Sequence, residues 1–248
     1  PDYETKTSYT ATVTATDTDD NSATQDITVN VTNVNDVAPV FTSESSFSVA
    51  ENQTAIGTAT ATDVEGDDVT FAVSGSELQI TSAGVLTFVS APDYETKTSY
   101  TATITATDGV NLTTQDITVN VTNINDVAPE FTSDATLSAA ENQTAIGTVT
   151  ATDADGDDVT FTVSGSELAI TSAGVLTFAT APDYEAKTSY SATVSASDGV
   201  NSTTQDITVN ITDVNEPIIF TSPTSYTINE NNATIGTITA SDPEGDDI

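Results

Sequence analysis

The 248-residue chain carries 38 Asp and Glu against 3 Lys and Arg, with no His and no Cys, and its formal net charge is −35. Such a charge repels nucleic acid and anionic lipid, and the lack of Cys excludes disulfides and thiolate metal sites. Without Cys or His, soft metals lose their preferred ligands whereas hard Ca²⁺ and Mg²⁺ keep theirs, so the composition implies hard cations as partners.

One phrase of the sequence occurs three times. It begins with PDYE and continues through KTSY, and its copies start at Pro1, Pro92 and Pro182. A period of about 90 residues is long enough for a whole small domain, whereas solenoid units are shorter. We expect the C-terminal part of one repeat at 1–37, complete repeats at 38–127 and 128–217, and the N-terminal part of a further repeat at 218–248.

Within a repeat the apolar residues follow a period of two. Apolar and polar residues alternate in several short segments, among them 69–73, 86–88, 100–107 and 115–122. This pattern predicts half-buried strands, and the turn clusters between them divide each repeat into about seven strands. The sequence therefore predicts an all-β chain of tandem immunoglobulin-like Greek-key sandwiches, each with two antiparallel sheets, and no helix.

Acidic residues recur at fixed places in the repeat. They occur in the phrases AEN and PDYE, in the Asn-Asp pair at each repeat boundary, in an Asp-x-Glu or Asp-x-Asp, and in the Asp that ends ATD or ASD. Each place is a loop or a strand end, and a sandwich gathers its loops at its two ends. We therefore expect these side chains to collect where consecutive repeats meet.

This set resembles the calcium sites of cadherin repeats, and the resemblance covers the whole chain. In that family the corresponding residues bind Ca²⁺ between successive domains, so the resemblance implies three ligand sets. The set near Asn35 is Asp2, Glu4, Asn35, Asp36, Val37, Asp63, Glu65 and Asp108. The set near Asn125 is Glu51, Asp93, Glu95, Asn125, Asp126, Val127, Asp153, Asp155 and Asp198. The set near Asn215 is Glu141, Asp183, Glu185, Asn215, Glu216, Asp242 and Glu244. So many carboxylates in one small volume cannot all stay ionised without cations.

The chain departs from the family pattern at the repeat boundaries. Asn33 and Asn123 stand where the first boundary Asp is expected. Val37 and Val127 replace a final Asn, which supplies a backbone oxygen in the family and therefore tolerates exchange. Glu216 stands in place of Asp. We expect the junction near Asn215 to bind calcium more weakly or with altered geometry.

Other polar residues admit simpler interpretations. Solvated surface accounts for Glu77, Glu167 and Asp116, whereas tight turns also favour Asp67, Asp68, Asp157 and Asp158, which stay undecided. Lys6, Lys97 and Lys187 share one position, where a surface ion pair is expected and a Lys–Asn crosslink is the alternative. The Asn-x-Thr triplets at Asn52, Asn111, Asn120, Asn142, Asn201 and Asn232 reflect composition or mark glycan acceptors.

The expected function is structural and not enzymatic. A Ser or Cys triad with His is impossible here, and the repeated carboxylate pairs lack the Trp-lined cleft that sugar hydrolysis favours. No stretch approaches the roughly 20 apolar residues of a membrane span. We expect a calcium-rigidified extender of a bacterial-type extracellular adhesin or surface filament, whose short linkers, such as 37–39, flex without the ion. The alternatives are direct homophilic adhesion or sheath assembly with other copies, and a carbohydrate-binding module for cell-surface glycans.

Overall fold

The computed structural model describes residues 1–245, so 246–248, the end of the last predicted partial repeat, lie outside the described residues. The chain forms two compact units, the first spanning Pro1–Ile124 and the second beginning at Asn125. Regular structure in the described residues is β-strand throughout, which confirms the all-β fold class. The repeat boundaries inferred from the sequence remain a prediction.

The first unit contains eleven strands, β1 to β11. They are β1 (Ser8–Thr16), β2 (Ser22–Asn30), β3 (Val40–Phe41), β4 (Ser46–Ala50), β5 (Ala55–Thr58), β6 (Ala61–Thr62), β7 (Thr70–Val73), β8 (Leu78–Ile80), β9 (Val85–Phe88), β10 (Ser99–Thr107) and β11 (Leu112–Thr122). The pair β1–β2 is a separate antiparallel hairpin, and it has the same pairing as β10–β11: Ser8 faces Asn30 as Ser99 faces Asn120.

Strands β3 to β11 form a two-layer sandwich. One sheet has the order β4-β11-β10-β7, the other has the order β5-β9-β8, and β3 pairs with β6. The pairing of β4 with β11 is parallel, a feature that the expectation of purely antiparallel sheets does not include. The nine segments correspond to about seven strands because the first strand is split into β3 and β4 and the second into β5 and β6.

The core lies between the two sheets and is built by the alternating residues. Leu86 and Phe88 of β9 are 0% and 1% exposed, and they pack with Ile104 of β10 and with Ile117 and Val119 of β11. The threonines between them point toward solvent, as β-propensity on a half-buried surface favours. This packing confirms the period-two prediction and fixes the strand ends from which the acidic loops project.

A turn before β9 requires glycine. Gly84 has φ +86°, and a Cβ built there would lie 2.2 Å from the carbonyl oxygen of Ala59. The Gly84 carbonyl also accepts the Ala59 N–H at 2.9 Å. The glycine therefore allows two backbones of the sandwich to approach closely.

The second unit repeats this plan. Its strands are β12 (Glu130–Phe131), β13 (Thr136–Ala140), β14 (Ala145–Thr148), β15 (Ala151–Thr152), β16 (Thr160–Val163), β17 (Leu168–Ile170), β18 (Val175–Phe178), β19 (Ser189–Ser197), β20 (Ser202–Thr212), β21 (Ile219–Phe220) and β22 (Ala240–Ser241). One sheet is β13-β20-β19-β16, with β13 parallel to β20, and the other is β14-β18-β17. Two short pairs, β12–β15 and β21–β22, complete the unit. In the part of the chain that the structure describes, no helix is long and apolar enough to span a bilayer.

Candidate metal centre

The predicted ligands of the first junction lie in segments that the strands hold in place. Asp36 lies in the linker between β2 and β3, Glu65 lies between β6 and β7, and Asp108 directly follows β10. Glu4 lies in a turn before β1. Flanking strands thus set the position of each carboxylate.

Glu65 holds the backbone of the linker. Its Oε2 accepts hydrogen bonds from the N–H groups of Asp36 at 3.1 Å and Val37 at 3.0 Å. The Glu65 N–H donates to Oδ1 of Asp63 at 2.8 Å, so the loop is itself ordered. These charge-assisted hydrogen bonds fix the linker to the loop of the following repeat.

Three carboxylates converge at this linker and form cluster I, which is Glu4, Asp36 and Glu65. One oxygen from each residue lies within 4.8 Å of the other two. Beside them, Oδ2 of Asp63 is buried and has no hydrogen-bond partner. A buried acceptor of this kind is costly unless a donor or a cation satisfies it. The all-oxygen, anionic donor set fits Ca²⁺, which prefers carboxylates and carbonyl oxygens.

The crowding of charge affects the pKa of Glu4. A hydrogen bond from its own backbone N–H opposes the shift, but desolvation, a hydrogen bond with Asp2 and the charges of Glu65 and Asp2 raise its pKa above the ordinary 4.5. Asp2 has a different role, because its Oδ2 accepts the Thr5 hydroxyl at 2.7 Å and its Oδ1 accepts the Glu4 N–H at 3.1 Å. These bonds, that of the Thr5 side chain first, lower the pKa of Asp2. Asp2 thus orders the turn that carries Glu4 and is not part of cluster I.

Asp108 belongs to the tight turn that joins β10 to β11. Its Oδ1 accepts the N–H groups of Val110 and Asn111, each at 2.7 Å. The Asn111 side chain donates to Oδ2 of Asp108 at 3.3 Å and to Oδ1 of Asn35 at 2.6 Å. Desolvation raises the pKa of Asp108, but the hydrogen bonds from Val110, Asn111 and Asn35 together lower it below the ordinary 3.8. The turn therefore connects Asp108 to the linker.

Glu51 is a buried carboxylate of the first unit, 2% exposed. Its two oxygens accept the N–H groups of Tyr94 at 2.7 Å and Ile124 at 2.8 Å. Asp93 caps the PDYE turn through hydrogen bonds within that turn, which also carries Glu95. Glu51 thus fixes the PDYE turn and the segment that follows β11 to each other.

The second unit repeats the linker geometry. Oδ2 of Asp155 accepts the N–H groups of Asp126 at 3.0 Å and Val127 at 2.9 Å. The Asp155 N–H donates to Oδ1 of Asp153 at 3.0 Å, and Oδ2 of Asp153 is buried with no hydrogen-bond partner. Glu65 and Asp155 therefore accept equivalent hydrogen bonds from the linker backbone, although their side chains differ in length.

The turn after β19 is equivalent to the Asp108 turn. Oδ1 of Asp198 accepts the N–H groups of Val200 and Asn201, each at 2.6 Å. The Asn201 side chain donates to Oδ1 of Asn125 at 2.8 Å and to Oδ2 of Asp198 at 3.4 Å. Desolvation raises the pKa of Asp198, but these hydrogen bonds lower it more.

Cluster II, which is Glu141, Glu185 and Asp213, lies within the second unit. One oxygen from each residue lies within 4.8 Å of the other two, and Glu141 is 3% exposed. A hydrogen bond from the Glu185 backbone N–H opposes the shift, but desolvation and the charges of Glu141, Asp213 and Asp183 raise the pKa of Glu185. Asp183 itself caps its turn by accepting the Ala186 N–H at 3.0 Å.

The last linker keeps the same backbone contact. The Glu216 N–H donates to Oε1 of Glu244, whose N–H donates to Oδ1 of Asp242 at 3.1 Å. Oε2 of Glu244 is buried and has no hydrogen-bond partner, and the same holds for Oδ2 of Asp63 in the first unit. The Asn142 side chain donates to Oε1 of Glu216 at 2.5 Å, and Asn215 is exposed.

Several residues that belong to these carboxylate groups, or that hydrogen-bond to them, are absent from the predicted ligand sets. Asp213 occupies the repeat position of Asn33 and Asn123, and alignment of the three boundaries would have identified it. Asp67 and Asp157, which the sequence left undecided, join the Asp63 and Asp153 loops, where the three carboxylates of each loop approach within 4.8 Å. The amides of Asn111 and Asn201 carried no sequence signal beyond their Thr triplets.

Two of the lysines form surface ion pairs. Lys97 pairs with Glu77 at 2.6 Å and Lys187 pairs with Glu167 at 2.5 Å, so the predicted surface ion pairs are confirmed for these two. Each ammonium also lies over a tyrosine ring, 4.2 Å from the Tyr100 centroid in one repeat. These ammonium groups contact carboxylates and rings, which gives the Lys–Asn crosslink no support.

No family model matches the chain. The chain is 35% identical to human protocadherin gamma-A2 over 91% of its own length and 28% of that protein, and 31% identical to human protocadherin Fat 1 over 85% of its length and 5% of that protein. It thus spans less than a third of the curated relatives it matches. These relatives are animal proteins and give no support to a bacterial-type origin.

Solved structures agree with the sandwich. The protocadherin gammaB4 extracellular domain superposes with a TM-score of 0.71 at 27% identity, covering 98% of this chain and 44% of that one. Mouse cadherin-23 EC22-24, at 21% identity and a TM-score of 0.69, covers 86% of this chain and 77% of that one, and it shows the fold alone. The chain therefore consists of cadherin-like extracellular repeats with an immunoglobulin-like sandwich fold.

Proposed function

We propose that this chain is a calcium-binding spacer of an extracellular protein, in which Ca²⁺ at the linkers joins each repeat to the next. One observation supports the proposal above all others. In cluster I, Glu4 comes from before the linker, Asp36 from the linker and Glu65 from the repeat after it, and their oxygens approach within 4.8 Å of one another. Like charges this close repel one another unless a cation lies between them.

The residues that would hold the ion differ slightly between the two units. In the first unit they are Glu4, Asn35, Asp36, Val37, Asp63, Glu65 and Asp108, with Asp2 ordering the turn. In the second unit, cluster II provides Glu141, Glu185 and Asp213, and the last linker provides Asn215, Glu216, Asp242 and Glu244. The ligand set near Asn125 stays a prediction from the sequence.

The ion would supply charge neutralisation and shared coordination. Since its ligands come from both sides of a linker, binding free energy would contribute to stability and would also restrict the linker. The protein itself supplies the rest of the restriction, because Glu65 already binds two N–H groups of the linker.

The test is a calorimetric melt of the full chain in chelator, in Ca²⁺ and in Mg²⁺. We expect Ca²⁺ to raise the unfolding temperature by several degrees, with Mg²⁺ less effective because it demands tighter octahedral geometry. X-ray scattering of the same samples should show a narrower distribution of dimensions with Ca²⁺. Identical melts and scattering curves in chelator and Ca²⁺ would remove the proposal.

A second candidate is calcium-dependent association of copies, as in adhesion. It is favoured by the relatives named protocadherins and by a similar structure described as a protocadherin gammaB7 EC3-6 cis-dimer, with a TM-score of 0.70. Sedimentation velocity in Ca²⁺ separates the two functions, because a spacer stays monomeric whereas an adhesive array associates with rising concentration. A bacterial-type origin and glycan binding have no comparable observation in their favour.

A further inference from the structure

We infer that Asn111 and Asn201 are positioning residues for the metal centre, each clamping a linker Asn to the late Asp of the following repeat. The inference rests on the proposed calcium function and extends it to residues that are not themselves ligands. Both amides occupy the same place in the repeat and make the same pair of contacts in separate units.

The Asn111 amide is a short bridge between three acceptors. Its Nδ2 lies 2.6 Å from Oδ1 of Asn35, 3.3 Å from Oδ2 of Asp108 and 3.5 Å from the carbonyl oxygen of Val37. Asn35 and Val37 belong to the linker, whereas Asp108 and Asn111 belong to the turn after β10. One side chain thus fixes the linker to the turn with two N–H groups.

The bridge leaves the ligand oxygens able to bind a cation. A carboxamide oxygen has two lone pairs, so Oδ1 of Asn35 can accept one N–H and still face an ion. Oδ1 of Asp108 is occupied by the backbone N–H groups of Val110 and Asn111, whereas Oδ2 accepts the Asn111 side chain at 3.3 Å and, as a carboxylate oxygen, has a further lone pair for a ligand bond. The amide therefore orients these oxygens without replacing them.

Orientation of this kind is the role of an outer shell around a metal. Partners that hold a ligand in place typically account for a 10- to 100-fold change in metal affinity when they are removed. Without the Asn111 amide, the Asn35 carboxamide would lose the donor to its Oδ1 and keep its hydrogen bond to Asp108, so its ordering would oppose ion binding more than in the wild type. We expect Asn111→Leu, which keeps the side-chain shape and removes the donor, to weaken Ca²⁺ binding at this linker about tenfold.

The hydrogen bonds of the Asn111 and Asn201 amides also affect whether these residues can be N-glycosylated. Asn111 and Asn201 are both in Asn-x-Thr triplets, but their amide nitrogens are engaged in the clamp. A glycan on either nitrogen would remove one donor and force the linker away from the turn. The clamp is therefore incompatible with use of these two triplets as glycan acceptors.

The test is a Ca²⁺ titration of the full chain followed by NMR at the Asp36 backbone amide. Asn111→Leu should shift the midpoint about tenfold to higher free Ca²⁺, whereas the Val214 amide beside cluster II keeps its midpoint as an internal reference. Val110→Ala is the matched control, because Val110 lies in the same turn, is 72% exposed and uses only its backbone in the contact. Asn201→Leu provides an independent second variant, read at the Asp126 amide.

The outcomes separate the inference from the function on which it rests. A midpoint within twofold of the wild type, with only a lower melting temperature in chelator, would show a merely structural role and overturn the inference. A wild-type chain with no Ca²⁺-dependent shift at Asp36 would overturn the proposed function as well.

Discussion

Replacing Glu65 by Gln tests cluster I because it removes one charge and keeps the shape of the side chain. In the wild type Glu65 has two like-charged neighbours, Glu4 and Asp36, with oxygens within 4.8 Å. For the Glu65–Asp36 pair Coulomb's law gives a repulsion of about 0.9 kcal/mol in water and about 3.5 kcal/mol at an effective dielectric of 20, and the charge of Glu4 adds to this repulsion. Both neighbours are exposed, so the lower part of that range applies.

The substitution also weakens two hydrogen bonds. The Asp36 N–H is shared between Oε1 at 3.2 Å and Oε2 at 3.1 Å, whereas the Val37 N–H donates to Oε2. A Gln carbonyl at the Oε2 position can accept both N–H groups but loses the contact of Asp36 with Oε1. The change from a charged to a neutral acceptor costs about 1 kcal/mol per bond. In chelator, the relief of repulsion and the weaker hydrogen bonds nearly cancel, so Glu65→Gln should melt close to the wild type.

In Ca²⁺ the balance changes because a carboxylate ligand has been lost. At a concentration one hundred times the dissociation constant, a bound ion stabilises by about 2.7 kcal/mol, and a tenfold weaker site reduces this to about 1.4 kcal/mol. For a repeat of this size the difference corresponds to roughly 5–10 °C.

The assay is differential scanning calorimetry of wild type and Glu65→Gln, each in chelator and in Ca²⁺. Glu44→Gln is the matched control, because Glu44 is an exposed Glu of the same repeat outside the clusters. We expect the Ca²⁺-induced rise to shrink for Glu65→Gln and to stay unchanged for Glu44→Gln. An equal rise in all three proteins would refute the reasoning.

Two further predictions concern acid and the sandwich turn. The pKa values of Glu4 and Glu185 are raised above 4.5, so in chelator the stability of the fold should rise as pH falls toward and through these raised values. The pKa values of Asp108 and Asp198 are lowered below 3.8, so the stability that these two residues contribute is lost as pH falls further, through their lowered values. Urea unfolding across this range checks the expected maximum, and a monotonic fall from neutral pH would contradict it. Gly84→Ala should destabilise the first sandwich by at least about 2 kcal/mol, because the new Cβ would overlap the Ala59 carbonyl, whereas Gly66→Ala, with a similar φ and nothing within 4 Å, should cost about 1 kcal/mol. Equal losses for the two variants would show that backbone conformation alone decides.

The fold could be predicted because its signals are local and repeated. Alternation over 100–107 and 115–122 identifies two strands, and the same alternation places Ile104 and Ile117 in the core. The parallel pairing of β4 with β11 could not be read in this way, because it joins segments about seventy residues apart whose pattern is the same for either direction.

The candidate site was only partly accessible to sequence reasoning. Carboxylates at fixed loop positions predicted which residues gather, and cluster I brings together three of the expected residues. Their roles were less predictable, since Asp2 and Asp93 cap turns while Glu65 binds backbone N–H groups. Such roles depend on side-chain rotation toward nearby donors, which spacing along the chain does not encode. Asn111 is the clearest case, because its partners Asn35 and Val37 lie in the preceding linker.

The linker contacts also change where flexibility is expected. The sequence predicts that the linker 37–39 flexes without calcium, yet Val37 donates to Glu65 and Pro39 is among the fully buried side chains. These are contacts between protein groups, so they do not require an ion. Under the proposed calcium function, the contact that would depend on a cation is the approach of Glu4, which lies before the linker and carries the raised pKa. Loss of calcium should therefore loosen the preceding repeat from the linker while the linker stays with the repeat that follows. Hydrogen exchange in chelator should be faster at the backbone around Glu4 than at Val37, and the reverse order would place the hinge in the linker itself.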